Sequence, residues 1–209
     1  IVLAFGPEDF LVSRVMRSLR EQLRLQDPDL EITDIDAADY AGGQLFDFTG
    51  PSLFSSAKLV IIRGMERCSD ELIADGLAYL EGINPDSTVL LTHNGSSVRG
   101  KKLLDALRSA DSVTEVQCLK ISKDTERAAY IKAEFAAEGR QITPGAVKAL
   151  QEAFAEDLAE LSSACLQLMQ DASAVISEEL VDSYYGGRIE TTAFKVVDAA
   201  IAGQSAKAL

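Results

Sequence analysis

Tryptophan is absent from this 209-residue chain, and histidine occurs once, at His93. A single imidazole has no histidine partner for a metal site or a Ser/His triad. A packed or solvated strand end is the commoner role for such a residue. Cysteine is also sparse. Cys68, Cys118 and Cys165 lie far apart, are odd in number and form no CxxC pair. That argues against both a zinc site and a disulfide framework. Reduced thiols suit a cytoplasmic location, which is the expectation here. No apolar run approaches about 18 residues, so no membrane span is expected. The opening IVLAFG lacks a basic n-region and a cleavage site, so it reads as a strand rather than a signal peptide. The chain does not open on Met, and residues preceding Ile1 are expected.

Positive charge is in short supply. Lys and Arg total 20 against 33 Asp and Glu, a net charge of −13. Long-range steering therefore disfavours nucleic acid as a primary partner of this chain alone. A DNA role inside a larger basic assembly stays open. What is present is globular in character. Apolar residues make up 47%, enough for a real core in one or two domains.

The first part of the chain alternates strand and helix patterns. IVLAF (1–5) is an apolar run of strand length. Gly6-Pro7 opens a helix, with Pro7 in its first turn and Glu8 and Asp9 near its N-terminus. Leu11, Val15, Leu19 and Leu23 recur every four residues and form its buried stripe. EITDID (31–36), LVIIR (59–63), TVLLT (88–92) and SVTEVQCL (112–119) read as further strands. Helices are expected over 69–83, capped by Ser69 or Asp70, and over 99–110. Strands separated by helices imply a mostly parallel sheet covered on both faces.

After about residue 120 the β-runs stop. Ser122 is the expected N-cap of a helix ending at Gly139. Thr143-Pro144 starts a second helix, and a third runs over about 157–171 with Leu158, Leu161, Cys165 and Leu168 on one face. A fourth is expected from a capping box at Ser177 to a glycine stop at Gly186. Tyr184 and Tyr185 are expected to pack at the domain junction. A further helix begins near Thr191 or Thr192. Its apolar Phe194, Val197 and Ile201 want a partner surface, so it reads as the start of a third domain that is not in this chain. The expected organisation is an α/β domain over 1–121, a small helical domain over 122–187 and the opening of a helical domain over 188–209.

An α/β sheet followed by a helical lid is an NTPase-like layout. Its chemistry needs a phosphate cradle, GxxxxGK[ST], after the first strand. Here that position reads GPEDFLVS. One glycine remains, but the phosphate lysine and the magnesium-binding hydroxyl do not. Glu8 and Asp9 stand where phosphates would arrive. Neither LVIIRGMER nor VLLTHNG ends a strand in the Asp-Glu pair that would hold metal and water. No ATPase activity, cofactor or metal is expected. GxSxG does not occur. Asp34, Asp36 and Asp39 form an acidic cluster for which a solvated strand edge is a commoner role than cation binding. Arg99, Lys101 and Lys102 sit at a helix start and are candidate phosphate or DNA contacts, against the commoner role of a solvated helix face.

One stretch fits this scheme poorly. Residues 50–62 read GPSLFSSAKLVII. Adjacent residues on a helix do not face the same side. A one-turn helix therefore cannot easily bury both Leu53 and Phe54 in its own core. Core packing and partner binding both remain open for the pair on the residues alone.

Taken together, several motifs resemble a family. The first strand followed by GPEDFLVSRVMRSLR is similar to the "GxExFL" opening of the bacterial DNA polymerase III delta subunit, the clamp-loader wrench. SLF at 52–54 before KLVIIRG (58–64) resembles that family's clamp-binding element. VLLTHN followed by RGKKLLDAL resembles its next strand and helix. Residues 138–168 resemble its helical domain, although the usual "ExxKL" ending is here SSACLQL. TAFKVVDAAIAG resembles the start of its collar domain. The resemblance covers essentially the whole chain. It implies an AAA+-like α/β fold, P-loop-NTPase-like without the P-loop, then a helical lid and the start of a collar. It also implies a non-catalytic component of the DNA-directed DNA polymerase holoenzyme, a nucleotidyltransferase complex, which acts in DNA replication. The implied partners are the sliding clamp (beta subunit), contacted by Ser52, Leu53 and Phe54, the other loader subunits through the collar, and primed DNA within the assembly. The readings from other classes are an α/β nucleotide-binding hydrolase or transferase and a generic acidic adaptor.

Overall fold

Near-continuous apolar strands should be buried on both faces, and they are. The computed structural model describes residues 1–51, 57–155, 157–171 and 175–188. The chain divides into two compact units, Ile1–Lys120 and Ile121–Leu209.

The first unit is a five-stranded parallel sheet with strand order β2-β3-β4-β1-β5. The strands are β1 (Val2–Phe5), β2 (Glu31–Asp36), β3 (Lys58–Arg63), β4 (Ser87–His93) and β5 (Thr114–Gln117). The helices are α1 (Asp9–Gln26), α2 (Gln44–Thr49), α3 (Asp70–Glu81) and α4 (Lys101–Ser109). Alternate side chains of each strand serve opposite layers. Leu3, Val60, Ile62, Val89 and Leu91 pack with Leu45 of α2, Leu72 of α3 and Leu103, Leu104 and Leu107 of α4. Ala4, Leu59, Ile61 and Leu90 pack beneath α1, whose Leu11, Val15, Leu19 and Leu23 form the expected stripe. At Gly76 on α3, an added Cβ would come within 2.7 Å of Leu103 on α4, so α3 and α4 approach closely there.

The second unit is helical: α5 (Asp124–Ala137), α6 (Pro144–Ala153), α7 (Leu158–Asp171) and a helix over 178–188. Its core joins Ile131, Phe135, Leu150, Leu161, Cys165 and Val181. Thr143 caps α6 by accepting from Ala146 N, with Pro144 at the first helical position.

Several boundaries differ from expectation for identifiable reasons. The first helix begins at Asp9, because Gly6 holds φ +143° and Glu8 is extended, both outside the helical region. Lys123, not Ser122, is the N-cap of α5. Glu126 accepts from the backbone amides of both Ser122 and Lys123 at 3.3 Å. Ser177 does cap its helix by accepting from Leu180 N, but the third helical residue is a leucine, so no capping box closes. That helix runs through Gly186 to Arg188 rather than stopping at the glycine. Tyr185 packs edge-on against Phe154 and donates to Gln167 Oε1 at 2.9 Å, all inside the helical unit. No described helix is long and apolar enough to cross a membrane.

Candidate functional site

Ligands of open parallel sheets gather at the carboxyl ends of the strands. In the first unit that edge carries the loop after β1, where a phosphate cradle would lie. A cradle presents free backbone N–H groups. Here the Gly6 amide donates to the His93 carbonyl at 2.8 Å, and the Glu8 amide donates to the Cys118 carbonyl at 2.9 Å. The loop is thereby fastened across β4, β1 and β5. Gly6 has φ +143°, and a Cβ there would run into the Cys118 carbonyl. The N-terminal end of α1 presents Glu8 and Asp9, whose negative charge opposes an incoming phosphate.

The remaining polar groups of this edge are largely engaged with one another. Glu66, after β3, accepts from Asn94 N at 3.2 Å, which ties the β3 and β4 ends together. Asp34 pairs with Arg20 and Arg63, and Asp36 pairs with Arg67. Asp34 and Asp36 of the acidic cluster are thus ion-paired. Among the described residues no group of three or more His, Cys, Asp or Glu could hold a metal ion. His93 is 2% exposed and stacks on Phe5. Its Nδ1 accepts from Gly95 N at 2.8 Å, which places the ring proton on Nε2. All three cysteines are free and buried. Burial pushes each thiol up, Cys165 to about 12, so none is set up as a nucleophile.

Two of the three cations at the start of α4 are engaged within the chain. Arg99 donates through Nε to the Cys68 carbonyl and through Nη2 to Asp70 at 2.7 Å. Lys101 pairs with Asp105 one helical turn away. Lys102 is exposed on the next position. Gly100, with φ +71°, precedes the helix, where an added Cβ would come within 3.0 Å of Cys68 Sγ.

The opposite, amino-terminal edge of the sheet carries the α2–β3 connection. Ser52, Leu53 and Phe54 lie outside the described residues, but both flanks are defined. α2 escaped the sequence reading, because six residues after two glycines give no usable period. The Tyr40 hydroxyl accepts from Leu45 N at 2.8 Å and donates to Asp75 at 2.7 Å. Burial raises the Tyr40 pKa, and the hydrogen bond to Asp75 reinforces the shift. Asp75 also accepts from Gly43 N, so the start of α2 is tied to α3. At its other end the Thr49 carbonyl accepts from Asn84 Nδ2 at 2.5 Å and from Ser87 Oγ at 3.0 Å. Across the connection, Ala57 N donates to Asp27 Oδ2 at 3.2 Å. Sequence reasoning did not single out Asp27, Thr49, Asn84 or Ser87. The turn-forming NPDS at 84–87 was the available signal, but it does not reveal which carbonyl it serves.

Strand order, the two-sided helical cover and the following helical unit make an α/β fold in which the phosphate-loop position is closed. The sequence matches no protein-family model and no curated protein. The structure is similar to the DNA clamp loader delta protein YqeN of Bacillus subtilis, with a TM-score of 0.76 and 14% identity. That similarity covers 99% of this chain and 64% of YqeN, so this chain spans a little under two thirds of that protein's length. The RuvB Holliday junction branch migration motor of Thermotoga maritima aligns at a TM-score of 0.40 and 15% identity, over 86% of this chain and 59% of that one.

Proposed function

We propose that this chain is a non-catalytic clamp-loader subunit that binds the sliding clamp and favours its opened form during loading onto primed DNA. The observation that carries the proposal is the clamp-loader delta fold over 99% of the chain. The closed phosphate-loop position supports a subunit that does not itself use ATP. In this reading Ser52, Leu53 and Phe54 contact the clamp, and residues 122–187 form a lid. Residues 188–209 open a collar that joins the other loader subunits, and the chain works in the cytoplasm as part of the polymerase III holoenzyme. Arg99, Lys101 and Lys102 touch DNA at most within that assembly.

The energetics suit a biasing role. Burying one leucine and one phenylalanine contributes roughly 1.5–3 kcal/mol each before the costs of association. That is enough to shift a ring interface between two states. It is not enough for repeated directional work, which falls to ATP hydrolysis in neighbouring subunits. A ligand shifts such an equilibrium only by its differential affinity for the two states.

Two titrations on the same sample test the proposal. The cognate ring clamp is expected to bind saturably. ATP with magnesium is expected to give no saturable heat in calorimetry. ATP binding without clamp binding would replace the proposal with a nucleotide-dependent enzyme. Neither ligand binding would leave an adaptor of another kind.

A further inference from the structure

Cationic side chains are unevenly placed in this acidic chain. Residues 1–57 contain four, Arg14, Arg17, Arg20 and Arg24; all lie on α1, and none is a lysine. Arg17, Arg20 and Arg24 keep the i, i+3, i+7 spacing of one helix face, with neighbours about 5–6 Å apart. The leucine and valine stripe of α1 faces the sheet. Arg20 donates to Asp34 Oδ2 at 3.2 Å, and Arg63, at the end of β3, donates to the same oxygen. Two guanidinium groups thus share one carboxylate, and one positive charge is left over. Arg20 Nε is buried without a hydrogen-bond partner. A buried donor in that state is costly and calls for an acceptor. Arg17 and Arg24 are exposed, and their side chains have no ion-pair or hydrogen-bond partner among the described residues. Glu21 is the one carboxylate between them in the chain. These groups carry four positive charges against two negative ones, in a chain whose net charge is −13.

We infer that Arg17, Arg20 and Arg24, with Arg63 beside them, form a row that contacts the phosphate backbone of DNA. The choice of DNA as the polyanion rests on the clamp-loader reading given above. The planar guanidinium fork matches two phosphate oxygens at once, a geometry that lysine does not offer. From Arg17 to Arg24 the helix rises about 10 Å, the axial length of about three phosphates on one strand. Such contacts hold the duplex without reading its sequence. The net charge of the chain opposes long-range steering, but the row acts within a Debye length of about 8 Å. It therefore works on DNA that is already close.

The test titrates the full chain with a fluorescent primed duplex over a series of salt concentrations, beginning at low salt. The ring clamp is titrated separately, and a melting curve is taken on each protein. The wild type is expected to bind the duplex saturably at low salt. Arg17→Gln with Arg24→Gln is expected to weaken that binding about tenfold or more. It should also reduce the slope of log affinity against log salt by about two, one for each phosphate contact removed. Clamp affinity and melting temperature should stay at wild-type values. Lys120→Gln with Lys132→Gln removes the same charge at two exposed positions elsewhere and is expected to leave duplex affinity unchanged. Absence of duplex binding by the wild type at low salt overturns the inference. Equal losses in the two double variants overturn it too, because bulk charge would then explain the binding. So does a loss of clamp affinity with unchanged duplex binding in the arginine variant, which marks a protein contact. The clamp-loader reading fails separately: the wild type would then not bind the clamp, while duplex binding that depends on Arg17 and Arg24 would still establish the row.

Discussion

Replacing Leu53 and Phe54 together by alanine is expected to weaken clamp binding by about 100-fold or more while leaving the melting temperature near that of the wild type. The expectation starts from local geometry. Adjacent residues on a helix do not face the same side, so a core that takes one of two neighbouring large apolar residues does not readily take the other. The flanks add to the argument. The chain leaves α2 through a carbonyl held by Asn84 and Ser87, and it reaches β3 through an amide held by Asp27. The buried run of β3 then begins at Lys58. Binding energy in protein interfaces concentrates in a few apolar anchors that fill pockets. Loss of two such anchors leaves little for the rest of the contact to supply. A core role makes the opposite forecast. Truncating a buried leucine and a buried phenylalanine would cost roughly 2–5 kcal/mol each in stability. A melting curve and a clamp titration on one double variant therefore separate the two roles. A large fall in melting temperature would show that the pair is structural.

The second large effect concerns the closed loop after β1. Gly6→Val is expected to destabilise the α/β unit by roughly 2–5 kcal/mol, lowering its melting temperature by on the order of 10 °C. Two causes act together. Residue 6 holds φ +143°, a conformation that L side chains rarely adopt. A Cβ at that position also collides with the Cys118 carbonyl, which is backbone and cannot swing aside. The same carbonyl accepts the Glu8 amide, so displacing it breaks the fastening of the loop after β1 to the end of β5. Restoring a lysine and a hydroxyl further along the loop would not restore a phosphate cradle, because these amides are already engaged. A Gly6→Val protein that melts with the wild type would show that the loop has room to open.

The sheet was the most legible part of the chain. β3 and β4 are almost wholly buried apolar runs, which only strands covered on both faces require. β2 coincides with EITDID, although its side chains are only partly buried. Helix α3 was readable from Ser69, whose hydroxyl accepts from Leu72 N as its N-cap role demands. Where the reading slipped, a tertiary contact had overruled a local signal. Pro7 is a good first-turn residue, yet Gly6 and Glu8 on either side of it hold non-helical backbone angles, and the helix starts at Asp9. Gly186 is a good stop, yet the helix over 178–188 continues past it. α2 was invisible because its six residues draw their order from Tyr40 just before them and from Asp75, Asn84 and Ser87, distant in sequence.

The candidate site was half legible for the same reason. The missing phosphate lysine could be read from GPEDFLVS, because an absent residue type needs no fold to reveal it. The pairing of Asp34 with Arg20 and Arg63 could not, since those residues meet only when α1, β2 and β3 assemble. Nor could the hydrogen bonds of Arg99 to the Cys68 carbonyl and to Asp70 at the start of α3. The anchors at Thr49 and Ala57 belong to this class as well. They are made by side chains 30 or more residues away, and no local pattern announces them.

The most direct measurement of the central claim compares two forms of the clamp. The full chain is titrated with the closed ring and, separately, with a clamp protomer whose ring interface has been disrupted by substitution. A subunit that favours the opened state must bind the released interface more tightly than the closed one, since differential affinity is the only source of the shift. Tighter binding to the disrupted protomer, abolished in both cases by Leu53→Ala with Phe54→Ala, is the predicted result. Equal affinity for the two forms would contradict a role in opening, and absence of binding to either would contradict the clamp-loader assignment.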